Sequence, residues 1–101
     1  MDEIQSLRAR IDAIDVALVE LLNARAACAF EIGRIKHLKA IPVYQPDREA
    51  EVLTNVRQAN AGPLSAEAMR RVFERIIDEA RRLERVGPEP ARGGGERPAE
   101  R

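Results

Sequence analysis

The chain has 101 residues, enough for one small domain, and it balances 17 Lys and Arg against 17 Asp and Glu. A net charge of zero argues against nucleic acid as a partner, since that binding rests on a basic excess. No apolar run approaches the about 20 residues a membrane span needs, and no signal peptide precedes Met1-Asp2-Glu3, so a cytoplasmic protein is expected.

The sequence predicts an all-α protein of three helices and no strand, built mainly from aliphatic residues and Ala. The first helix runs from about Glu3 to Lys39, where Ile41-Pro42 ends it. Its apolar stripe reads Ile4, Leu7, Ile11, Ile14, Leu18, Leu21, then Arg25, Cys28, Ile32 and Ile35, in steps of three and four. Gly33 inside it reads as a close-packing point, and Cys28 as a small buried hydrophobe. The second helix opens at Pro46, presents Glu49, Val52, Leu53 and Val56 on one side, and stops at Asn60-Ala61-Gly62-Pro63. The third is capped by Ser65 and carries Met69, Val72, Phe73, Ile76, Ile77, Ala80 and Leu83 on its stripe.

From Gly87 onward the sequence is rich in Gly and Pro and lacks apolar periodicity. Residues 87–101 therefore read as a disordered tail, leaving 1–86 as the helical domain. A helix of about 37 residues spans about 55 Å, whereas a small domain is about 30 Å across. Two short helices cannot cover it. An obligate homodimer built around paired first helices follows as an expectation.

Arg25 stands where the stripe calls for a core residue, and an unpaired guanidinium there would cost several kcal/mol. Lys36 lies eleven residues on, within about 20° of the same face and about 16 Å along the axis. Glu49 falls on the inward side of the second helix, and Glu84 continues the stripe of the third. Arg25 could pair with Glu84 or Glu49 as a buried structural ion pair. Several such pairs are poor stabilisers of one small core, however, and a polar pocket for a small anion explains the set better. Arg8 points about 100° away from Arg25 and could pair with Asp12. Arg48 could likewise pair with Asp47 or Glu51, and His37 reads as solvated. The sequence holds no Ser/His/Asp set, no Cys/His metal spacing and no phosphate-binding glycine loop. An enzyme built on it is expected to need no nucleophile, metal or cofactor.

The segment Leu7 to Lys36 resembles the signature of the all-helical chorismate mutases. It has Leu-Arg at its start, then Ile-Asp-x-Ile-Asp, Leu-Leu-x-x-Arg and Glu-Ile-Gly-x-x-Lys. Pro42 to Glu49 resembles that family's second block, and Val72 to Ile77 its third. The resemblance implies a standalone, monofunctional chorismate mutase, an isomerase of phenylalanine and tyrosine biosynthesis, acting as an intertwined dimer with two shared sites. It further implies that Arg25 and the partner chain's Arg8 hold the two carboxylates of chorismate. Lys36 would donate to the ether oxygen and Glu84 would share it. Arg48 would support the carboxylate site, Glu49 would accept from the ring hydroxyl, and Ala80 and Gln45 would line the pocket. Docking onto another enzyme of the shikimate route is also open. Because the chain ends soon after the third helix, no fused dehydratase or dehydrogenase domain is expected.

Two positions depart from the commonest pattern: Gln45 replaces an Asp, and Glu84 replaces a Gln. A glutamate donates to an ether oxygen only when protonated, so turnover is expected to fall with rising pH. The competing readings are an isochorismate-pyruvate lyase or a 4-amino-4-deoxychorismate mutase on the same scaffold. From another class comes a non-catalytic helical dimerisation module.

Overall fold

A computed structural model describes residues 2–87 and contains three helices: α1 (Glu3–Lys39), α2 (Pro46–Ala59) and α3 (Ala66–Val86). The expected tail therefore lies outside the described residues, apart from Gly87. None of the described helices is long and apolar enough to cross a membrane.

Local chemistry sets the helix ends. Asp2 caps α1, its carboxylate accepting from the Gln5 N–H at 2.7 Å. At the other end Ala40 takes the left-handed conformation (φ 56°), and the Ile41 N–H donates to the Lys36 carbonyl at 2.8 Å. Pro46 opens α2, where the Arg48 and Glu49 N–H groups both donate to the Gln45 carbonyl. The Ser65 hydroxyl caps α3 by accepting from the Ala68 N–H at 3.0 Å. These boundaries match the sequence reading.

α3 is the middle element, packing against both α1 and α2, which make no comparable contact with each other. The described chain measures 56 × 42 × 15 Å. Since one helix with its side chains is about 10–12 Å thick, the three helices form a single layer. Its radius of gyration is 17.1 Å, against about 12 Å for a compact chain of this size. One layer cannot enclose a core: Ala29 and Ile77 are the only buried apolar side chains among the described residues.

The apolar stripe of α1 is consequently open to solvent, with Ile4 60% and Leu21 67% exposed. Val16, Val19 and Leu22 are exposed as well, so the helix is apolar on more than one side, beyond the single stripe expected. Two other expectations need correction. Cys28 is exposed rather than buried, because α3 crosses α1 on the side of Ala29 and Gly33 and leaves Cys28 at the edge of a cavity. Val72 is half exposed for want of any facing helix.

Gly33 marks the crossing of α1 and α3. A Cβ placed there would lie 2.8 Å from the Glu84 Cα, so the two backbones meet with no room for a methyl group. Gly33→Ala gains helix propensity but overpacks this contact. Chemical denaturation should show a net loss of about 1–3 kcal/mol.

Candidate active site

Where α1, α3 and the start of α2 converge, a cavity of about 380 Å³ opens. That volume falls in the range of small-molecule sites, about 300–1,000 Å³. Its apolar wall includes Ala29, Ile32, Val43, Val52, Ile77 and Ala80. Its charged lining consists of Arg25, Lys36, Arg48 and Arg81 against Glu49 and Glu84, an excess of two positive charges, of which that on Arg48 is answered by Glu51 outside the lining. Gln45 completes the set, so seven of the eight site residues expected from sequence meet in one place. The eighth, Arg8, does not. It lies seventeen residues before Arg25, about 25 Å along the same helix, and lines no part of this cavity.

Within the cavity the charges pair differently from the expectation. Glu84 meets Lys36 rather than Arg25: the ammonium donates to Oε1 at 3.1 Å and also to the Val43 carbonyl at 3.1 Å. Both side chains are nearly nine-tenths covered. The reason is the crossing at Gly33, which sets Glu84 beside the turn of α1 that carries Lys36, three turns beyond Arg25. An ammonium has three N–H groups, so one remains for a ligand.

Glu49 meets Arg81, a residue absent from the sequence expectation. Arg81 Nε donates to Glu49 Oε2 at 3.1 Å, and Nη2 donates to the same oxygen. The guanidinium also lies over the Tyr44 ring, 5.1 Å from its centroid, and 3.8 Å from Asp78. The hydrogen bond to Glu49 holds the Arg81 pKa above its ordinary value, against the opposing effect of burial. Arg81 follows the buried Ile77 by four residues, so the stripe of α3 did carry the signal.

Arg25, half-buried at the cavity wall, has no hydrogen bond or ion pair among the described residues. Arg48 pairs with Glu51 at 2.6 Å in solvent. The pairing of Arg8 with Asp12 does not form, and His37 is exposed as expected.

A cavity with excess positive charge, an uncompensated guanidinium and a half-committed ammonium is suited to a small anion. Known proteins agree with that class. Residues 7–85 match the chorismate mutase type II family, and the chain belongs to it. It is 38% identical, over 87% of its length, to a bifunctional chorismate mutase/prephenate dehydratase of Pseudomonas aeruginosa. It spans only about a quarter (27%) of that relative's length. A 4-amino-4-deoxychorismate mutase of Streptomyces pristinaespiralis is 37% identical over 82% of the chain and 65% of that protein. Among solved structures, the chorismate mutase of Thermus thermophilus (form II) superposes with a TM-score of 0.84 at 32% identity, covering 87% of this chain and all of that one. Chorismate mutase from Helicobacter pylori, solved in complex with prephenate, gives 0.76 at 31% identity, covering 83% and 91%.

Because Arg25 has no counter-ion to lose, Arg25→Ala should leave the thermal midpoint unchanged or raise it slightly. A drop of more than a few degrees in a thermal melt would contradict this reading of the cavity.

Proposed function

We propose that the chain converts chorismate to prephenate by an intramolecular [3,3] rearrangement. The observation that carries the reading is Arg25, a guanidinium at a cavity wall with no counter-ion from its own chain, in a family of chorismate mutases. The substrate is a dianion, and the uncompensated Arg25 supplies one of the two positive charges that it needs. Arg25 takes one carboxylate with support from Arg48, and a partner chain's Arg8 takes the other. The third N–H of Lys36 points its charge at the ether oxygen, where negative charge grows as the C–O bond breaks. Glu49 accepts from the ring hydroxyl, and Gln45 and Ala80 line that end. The reaction is pericyclic, so the protein's work is to hold the reactive chair and to place fixed donors.

The homodimer belongs to the same proposal. The exposed apolar faces of α1 and the single-layer shape support it, and so does the separation of Arg8 from Arg25. Two α1 helices laid together would cover those faces and bring each Arg8 to the other chain's cavity. A cytoplasmic location is part of this reading. Docking onto a second enzyme of the route is supported only by the bifunctional relatives, in which a mutase and a dehydratase share one protein. The 4-amino-4-deoxychorismate mutase relative keeps an amino-substituted substrate as the second reading.

Loss of chorismate absorbance on adding the purified protein, with prephenate identified afterward, tests the activity. No loss would remove the reading. Arg25→Ala should lower kcat/KM by about 10²-fold or more, because it removes a clamp that holds the reactive chair. Glu84, paired as a carboxylate with the Lys36 ammonium, holds that donor in place rather than donating itself.

Shared sites can be tested by complementation. Arg8→Ala and Arg25→Ala chains, each inactive alone, should recover about a quarter of wild-type turnover when refolded together. Half of randomly formed dimers are mixed, and one of their two sites is intact. An Arg8→Ala chain fully active alone would place Arg8 outside the site, and no recovery from two inactive chains would exclude sites shared between protomers.

A further inference from the structure

We propose that Arg81 is a positioning residue that makes the Glu49 end of the cavity select a hydroxyl over an amino group on the substrate ring. The inference rests on the role given to Glu49 above. Arg81 directs both of its donating N–H groups to Oε2 of Glu49, which leaves Oε1 without a partner among the described residues. Glu49 lines the cavity, so Oε1 is the oxygen available to a ligand. The guanidinium is itself held in place by the Tyr44 ring and Asp78. It fastens α3 to the first turn of α2 and to the connector that carries Gln45.

The charge at this end follows from that geometry. Within the cavity lining Glu49 and Arg81 form a neutral pair and Gln45 adds no charge. Arg48 is answered by Glu51, and Asp78, 3.8 Å from Arg81, is mostly exposed and outside the lining. A hydroxyl donates its hydrogen to Oε1 and changes nothing in this balance. An aliphatic amine carries a proton near neutral pH and brings a positive charge beside Arg81. The two carboxylates of the cavity lining, Glu49 and Glu84, are already committed to Arg81 and Lys36. Without Arg81, Glu49 would be an unpaired carboxylate, the natural complement of an ammonium. Charge interactions between partly covered groups are stronger than in water, so this one guanidinium weighs heavily on the choice.

The test compares kcat/KM for chorismate and for 4-amino-4-deoxychorismate in the full-length wild type, Arg81→Leu, Arg81→Gln and Arg81→Lys. Wild type should favour chorismate. Arg81→Leu should move the preference toward the amino substrate by at least about tenfold, a modest fraction of a full charge interaction at this depth. Arg81→Gln keeps polarity without charge and should move it the same way, which preserves the test if the leucine variant folds poorly. Arg81→Lys should restore the wild-type preference. If both substrates slow together while their ratio stays fixed, Arg81 is merely structural and the inference is overturned. The same follows if wild type prefers the amino substrate. A wild type inactive on both substrates would overturn the mutase reading itself, a result distinct from an unmoved ratio.

Discussion

The contact between Gly33 and Glu84 is the constraint on which the remaining arrangement depends. With no side chain at residue 33, α3 lies against the backbone of α1, and this fixes which turn of each helix faces which. Glu84 then falls beside Lys36, and the preceding turn of α3 delivers Arg81 and Ala80 to the cavity. α2 joins by packing on α3, which lets Glu49 reach Arg81. A wider separation at this point would part the Lys36–Glu84 pair and open the cavity floor.

The layer that results has an unusual balance of surfaces. Its apolar residues are numerous, yet Ala29 and Ile77 alone among the described ones are buried. In a compact domain the hydrophobic side chains of α1 would be its main source of stability. Here most of that surface still faces solvent, so the driving force that burial would supply is unspent in the isolated chain. The helix that displays the apolar surface also displays Arg8 far from Arg25. The proposal of shared sites thus joins two observations that would otherwise need separate explanations.

Much of this was legible in the sequence, and the exceptions have physical causes. Helix ends depend on local chemistry such as Asp2, Pro46 and Ser65, so their positions can be read without tertiary information. Arg25, Lys36, Glu49 and Glu84 stand out because each interrupts or continues an apolar stripe, and all four line one cavity. Their partners could not be read the same way, because pairing across helices depends on the depth and register of a crossing. Arg81 lies on the inward stripe, four residues past Ile77, but its role depends on Tyr44 and Glu49, which only the packing of other segments brings around it. Cys28 is exposed for a related reason. A stripe tells which residues seek cover, not whether this chain supplies it.

Lys36 has a further consequence for any dissection of the site. Its carbonyl receives the Ile41 N–H, while its ammonium reaches the Val43 carbonyl two residues later. The same residue therefore anchors the peptide running toward Gln45 and supplies a cation to the cavity. Substituting it alters the shape of one wall together with the local field. A kinetic deficit at this position is a composite quantity, and assigning it wholly to a vanished proton donor would overstate the electrostatic share.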